Sequence, residues 1–194
     1  MNVLILGPQG SGKGTQARRI AAEYGIPHIA TGDMFREAVS RRSPLGLRVE
    51  PILASGGLVP DELTIALMRE RLSQDDASGG FVLDGFPRTL AQAEALDELL
   101  EEMGRPLDVV LELQVPDEVC VERMLKRARA EGRPDDTPEA IRRRLEIYHR
   151  ETEPLVAHYL PTGKVVGIRG DRSIEEVWRD IQAALERVAE AAGT

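Results

Sequence analysis

The stretch Gly7-Pro8-Gln9-Gly10-Ser11-Gly12-Lys13-Gly14-Thr15 constrains the fold of this chain more than any other. It follows the apolar run Asn2-Val3-Leu4-Ile5-Leu6, which reads as a fully buried strand. It leads into residues 15–24, which read as a helix with Ala17, Ile20, Ala21 and Tyr24 on one face. A strand, a glycine-rich turn and a helix, in that order, allow successive backbone N–H groups to converge on an anion. The glycines permit the curl, the helix N-terminus adds partial positive charge, and Lys13 can reach outer phosphates as a point charge. The general pattern puts Ser or Thr directly after the lysine. Here Gly14 takes that place and Thr15 follows, so Thr15 is not read as a direct metal ligand. A glycine-rich turn without a ligand is the competing reading, and the flanking strand and helix argue against it.

A chain of 194 residues can bury one substantial core. The formal net charge of -8 argues against nonspecific nucleic-acid binding. The lone Cys120 excludes an intramolecular disulfide or a multi-cysteine zinc site, and reads as a small buried hydrophobe. There is no cleavable leader pattern and no run of membrane-spanning length, so a cytoplasmic, membrane-free protein is expected. Nothing in the surface pattern demands more than a monomer. The Ala- and Glu-rich stretch 186–194 is expected to fray.

Further strands are expected at residues 26–30, 81–83, 108–115 and 164–168. His28 reads as a strand-end residue without chemistry. Residues 31–59 hold helices but no strand, which reads as an insertion between the second and third strands. A helix is expected at 60–72. Another is expected at 89–103, with Leu90, Ala93, Leu96, Leu99 and Leu100 inward. A helix from Asp117 to about Arg127 precedes a charged break at 130–138. A long helix over 139–159 should be bent or interrupted at Pro154. The closing helix, 173–189, should bury Ile174, Val177, Trp178, Ile181 and Leu185. This alternation predicts an α/β three-layer sandwich around a five-stranded parallel sheet, with ligands at the carboxyl ends of the strands. Asp84 ends the third strand beside the glycine-rich loop, where a carboxylate could hold magnesium through water. A loop aspartate that caps the next helix is the alternative.

Arg36, Arg88, Arg123, Arg127, Arg133 and Arg144 each fall near a strand end, a loop or a helix end. Several phosphates in one cleft would need that many donors. The residues 7–15, then Thr31-Gly32-Asp33 with Arg36, then Asp84-Gly85-Phe86-Pro87-Arg88 with Gln92, together resemble the adenylate kinase family. The resemblance runs along essentially the whole chain, and Asp-Gly-Phe-Pro-Arg is its most specific piece.

The resemblance implies reversible, Mg2+-dependent transfer of the terminal phosphoryl group of ATP to AMP, giving two ADP. It implies that Gly10, Ser11, Gly12, Lys13, Gly14 and Thr15 cradle the ATP phosphates, with Arg123 and Arg127. Arg172 would lie by the ATP adenine. Thr31, Arg36, Gly57, Leu58, Val59, Gly85, Phe86, Pro87, Arg88 and Gln92 would bind AMP. Arg133 and Arg144 would grip the AMP phosphate and the transferring group from the lid side. Lys13, Arg88, Arg123, Arg133 and Arg144 would be catalytic, and Asp84 would hold Mg2+ through water. The AMP-binding segment would span 31–59. Only five residues separate Arg127 from Arg133, so the lid would be the short form, 126–136, without structural zinc.

Two rivals stay open. A pyrimidine monophosphate kinase shares the loop and the Gly-Phe-Pro-Arg element, but such enzymes typically carry Ala and Asn where Thr31 and Gln92 stand. A nucleotide-dependent switch would leave Arg88, Arg133 and Arg144 without work, and no Asn-Lys-x-Asp signature is present.

Overall fold

Five strands form one parallel sheet in the order β2-β3-β1-β4-β5: β1 (Asn2–Leu6), β2 (His28–Ala30), β3 (Phe81–Asp84), β4 (Val109–Gln114) and β5 (Val165–Arg169). The computed structural model describes residues 1–193. The strand next to β1 on one side pairs Val3 with Val82, and on the other pairs Leu4 with Val110. β1 therefore lies at the centre, and the turn that follows it opens between its neighbours. This is where an α/β sheet reverses its strand order and exposes a crevice.

Side chains alternate across the sheet, so each face has its own core. Val3, Ile5, Val82, Leu111 and Ile168 pack against α1 (Lys13–Tyr24) and α9 (Ile174–Ala192). Leu4, Leu6, Phe81, Leu83 and Val110 pack against α4 (Asp61–Leu72), α5 (Leu90–Glu102) and α8 (Pro154–Tyr159). The expected three-layer α/β sandwich is the observed fold. Between β2 and β3, α2 (Thr31–Ser40) and α3 (Pro44–Ala54) close around a small cluster of Phe35, Val49 and Val59. Cys120 and Met124 of α6 (Asp117–Glu131) pack on Ile141 and Leu145 of α7 (Pro138–Ile147). Cys120 is a buried hydrophobe as expected, and burial pushes its thiol up to about 11. Among the described residues no helix is long and apolar enough to cross a membrane.

Several local expectations are corrected. Leu90 and Ile174 are half-exposed, at 50% and 55%, instead of inward. Each is the first residue after a helix cap, Thr89 or Ser173, and Ile174 borders an open cleft. The second strand is only His28–Ala30. The closing helix continues through Ala192, beyond the expected frayed start at 186, as its alanines favour; Thr194 lies outside the described residues. α6 runs on to Glu131 and ends at Gly132, whose φ of +60° suits only glycine comfortably. The 139–159 helix is interrupted as Pro154 requires. A wide π turn at Tyr148–Thr152 precedes it, closed by Glu153 N–H donating to Tyr148 C=O at 2.8 Å.

Leu111→Ala, in a fully buried position on β4, should cost about 2–5 kcal/mol. The exposed Leu90→Ala should stay within about 0.5 kcal/mol of the parent. Urea unfolding midpoints check both.

Candidate active site

The turn after β1 wraps tightly because glycine is required twice. Gly10 and Gly12 have φ of +82° and +94°, the left-handed region. A Cβ on Gly10 would lie 2.5 Å from the Cys120 carbonyl oxygen, so α6 itself blocks any side chain there. Gly12 then caps α1, whose first residue is Lys13. Residues 10–15 all line one open cleft of about 400 Å³. Lys13 is buried, and its Nζ folds back to donate to the carbonyls of Gly7 at 2.8 Å and Pro8 at 3.1 Å. Burial, reinforced by Arg88 and Arg127 and opposed by Asp84, pushes its pKa down to about 8.

The same cleft gathers Arg36, Arg88, Arg123, Arg127, Arg133 and Arg172. Arg123, on α6, donates to the Ser11 carbonyl at 3.3 Å and to the Gly170 carbonyl at 2.9 Å, so it clamps the loop to the segment after β5. Arg88 donates to the Gly85 carbonyl at 2.7 Å. Its pKa is pushed down to about 10 by burial, with Arg144 and Arg36 adding to that and Asp84 opposing it. Arg133 pairs with Glu131, and Arg172 with Asp180.

A smaller cavity, about 40 Å³, adjoins the cleft. Thr31, Gly57, Leu58, Val59, Gln92 and Arg144 line it, and Gly85, Arg36, Arg88 and Arg127 line both spaces. Thr31 donates to the Gly85 carbonyl at 2.9 Å. The Gln92 amide is engaged at both ends: its Oε1 accepts from Arg88 N–H and its Nε2 donates to Asp61, each at 2.8 Å. Phe86 packs its ring into the core, and Pro87 lines a third, minor cavity.

Asp84 ends β3 within the cleft. Burial would raise its pKa, but the hydrogen bond with His28 and the charges of Lys13 and Arg88 outweigh that and hold the carboxyl below its ordinary value. His28 Nε2 lies 3.0 Å from Asp84 Oδ2, which corrects the expectation that His28 does nothing at the site. A buried carboxylate kept ionised suits magnesium, which keeps most of its waters and takes one or two carboxylates together with substrate phosphates. Among the described residues no group of three or more His, Cys, Asp or Glu side chains is placed to hold a metal by itself.

Sequence reasoning missed the anions that hold the arginines. Asp135 and Asp136, both buried, follow Arg133 in the short connection before α7. Arg127 donates to Asp136 at 3.0 Å. Arg144 donates to Asp135 at 2.9 Å and also to Asp136, and Arg36 comes within 3.8 Å of Asp135. The usable signal was an adjacent aspartate pair beside a surplus of arginines, which need counter-charge when buried.

The adenylate kinase family model matches residues 5–164. Proteins named adenylate kinase align along nearly the full chain. One from Xanthomonas campestris pv. campestris is 47% identical over 193 residues, covering 100% of both chains. One from Xanthomonas euvesicatoria is 48% identical over 187 residues, 96% of this chain and 100% of the relative. One from Micrococcus luteus is 48% identical over 192 residues, 99% of this chain and 94% of the relative.

The depressed Lys13 pKa sets a pH dependence. Between about 8 and the ordinary 10.5, the unfolded chain holds the lysine proton and the folded chain does not. Stability therefore rises with pH across that window. In urea titrations at pH 7.5 and 9.5 (about half a unit below and one and a half units above the shifted pKa), the parent should gain stability relative to Lys13→Met at the higher pH.

Proposed function

The chain belongs to the adenylate kinase family, a phosphotransferase that reversibly moves the terminal phosphoryl group of ATP to AMP, and we propose how its cleft divides that work. The observation that carries the assignment is a pair of adjoining spaces, one on the glycine-rich loop and one on residues 57–59, that share Arg36, Arg88 and Arg127 at their junction. Two nucleotides lying in them would face each other phosphate to phosphate across those guanidinium groups.

ATP takes the larger space. Residues 10–15 wrap its phosphates, Lys13 leaves its backbone carbonyls for the outer ones, Arg123 and Arg127 add charge, and Arg172 lies toward the base. AMP takes the smaller space, with Thr31, Gly57, Leu58, Val59 and Gln92 around its nucleoside and Arg36, Gly85 and Arg88 at its phosphate. Arg133 and Arg144 reach the AMP phosphate and the transferring group as the segment 126–136 closes, and 31–59 acts as the AMP-binding segment. Phe86 and Pro87 serve by shaping the turn that carries Arg88.

The chemistry needs no general base, because the second pKa of a phosphate monoester is about 6 and AMP is already ionised. An AMP phosphate oxygen bonds to the γ phosphorus as the bond from that phosphorus to the β,γ-bridging oxygen breaks, and ADP leaves. Catalysis is then alignment and stabilisation of spreading negative charge by Lys13 and the arginines. Closure excludes water as a competing acceptor. Mg2+, held with ATP and reached by Asp84 through water, would neutralise charge on the phosphate oxygens. The site is complete within one chain, which supports a monomer, and its soluble nucleotide substrates support work in the cytoplasm.

Incubation with Mg-ATP and AMP should yield two ADP for each AMP consumed, with little product when CMP, UMP or GMP replaces AMP. Transfer mainly to CMP or UMP, or hydrolysis without an acceptor, would overturn the assignment; nucleotide chromatography decides. Lys13→Ala should lower kcat by about 10²- to 10³-fold with the fold intact by circular dichroism. Gln92→Ala should reduce the preference for AMP over CMP by about tenfold, more than it weakens ATP binding.

A further inference from the structure

Gln9 stands where the spaces of the cleft meet, and the assignments above leave it without work. Besides the ATP cleft and the AMP cavity, the minor cavity that Pro87 lines, about 40 Å³, borders Lys13, Arg88, Arg144 and Thr152. Among the described residues, Gln9, Gly85 and Arg88 alone line all three spaces. Gly85 has no side chain, and its carbonyl already accepts from Thr31 and Arg88. Gln9 is half-buried, so it stays reachable from the cleft, and among the described residues no hydrogen bond engages its amide.

The backbone under Gln9 is fixed. Ser11 N–H donates to the Pro8 carbonyl at 3.1 Å and Gly10 carries a φ of +82°, the pattern of a type II turn with Gln9 at its second place. Proline is common at that place, because its ring presets the backbone there. A glutamine gives up that help and brings an unengaged amide to the junction. Lys13 and Arg88, by contrast, are held on backbone carbonyls. A neutral donor also suits this place. Arg144 and Arg36 already bear on Arg88, and one more cation would add to that repulsion before substrate binds.

Resting on the ATP and AMP assignments above, we propose that Gln9 is a further catalytic residue, which donates from Nε2 to the phosphoryl group in transit between the two nucleotides. As an AMP phosphate oxygen bonds to the γ phosphorus and the bond from that phosphorus to the bridging oxygen breaks, negative charge spreads over the phosphoryl oxygens. The Gln9 amide reaches one of them where the three spaces meet. It supplies a hydrogen bond that strengthens as the charge develops, and it takes part in no proton transfer. This contact is separate from the cradle of residues 10–15, which holds the ATP phosphates before transfer begins.

Rapid-quench kinetics, which read the transfer step itself, and a binding titration test this on the full chain. Gln9→Met keeps the length and removes the amide. Gln9→Pro removes it with a residue that the turn favours, so the urea midpoint should not fall. Both should slow transfer about tenfold, with KM for ATP and for AMP within about threefold of the parent. Gln9→Glu, which sets a carboxylate against the phosphoryl group, should be about tenfold slower again. ADP and AMP with aluminium fluoride, a mimic of the phosphoryl group in transit, should bind Gln9→Met about tenfold more weakly than the parent, while ADP alone and AMP alone bind as before. A transfer rate within about twofold of the parent in folded Gln9→Met and Gln9→Pro overturns the proposal. So does a loss confined to KM for one nucleotide, which would make Gln9 a contact of bound ATP or AMP and not of the transfer. A parent that moves no phosphoryl group to AMP sinks the reaction assignment, and titration with ADP and aluminium fluoride then still decides whether Gln9 touches the phosphoryl mimic.

Discussion

Buried positive charge is the constraint on which the rest of this structure depends. Lys13 and Arg88 sit deep enough that burial lowers the pKa of each, and Arg123, Arg127 and Arg144 crowd the same walls. Removing such charges from water is expensive unless anions or well-placed dipoles compensate. The protein supplies both in part. Lys13 and Arg123 lie on backbone carbonyls, while Asp135 and Asp136 hold Arg127 and Arg144. Phosphate groups are the natural completion of this arrangement, because each brings several acceptor oxygens and net negative charge to donors already gathered.

The fold keeps those donors close without collapsing them onto one another. They come from four separate places in the chain: Lys13 from the start of α1, Arg88 from the turn after β3, Arg123 and Arg127 from α6, Arg144 from α7. Parallel pairing brings the carboxyl ends of β1 and β3 to one edge, so loops distant in sequence open into the same crevice. Packing then sets the fine position. The Gly10 backbone sits against the Cys120 carbonyl, and Thr152, in the π turn forced ahead of Pro154, donates to the Arg88 carbonyl at 2.7 Å. An interruption in a helix far along the chain thus helps hold a residue of the cleft.

Much of this was legible from residue order. The apolar runs, the glycine-rich turn and the alternation of strands with amphipathic helices dictated a parallel sandwich, because those patterns report local backbone preference and which face must leave water. The cluster of arginines was visible as a set. Side-chain partners were not. His28 looked inert because nothing in its neighbours reveals that β2 pairs with β3 and brings it to Asp84. Gln92 could be read as a base contact, yet its amide is also tied to Asp61 and to the Arg88 backbone. Leu90 and Ile174 matched the helical period and are still half-exposed, since periodicity does not tell whether the first turn of a helix is covered.

By itself the sequence determined the sheet, the glycine-rich turn and most of the cationic set. These follow from short-range rules: glycine where φ is positive, β-branched and apolar runs where a strand is buried, a cap where a helix starts. Tertiary structure alone decided how those cations are compensated and which polar atoms stay open. Asp135 with Arg144, His28 with Asp84, and the unengaged Gln9 on the spaces it shares with Arg88 each depend on elements that meet only when the chain is folded. Hydrogen bonds and ion pairs act over a few ångströms in space, and that distance is fixed by packing between elements and not by spacing along the chain.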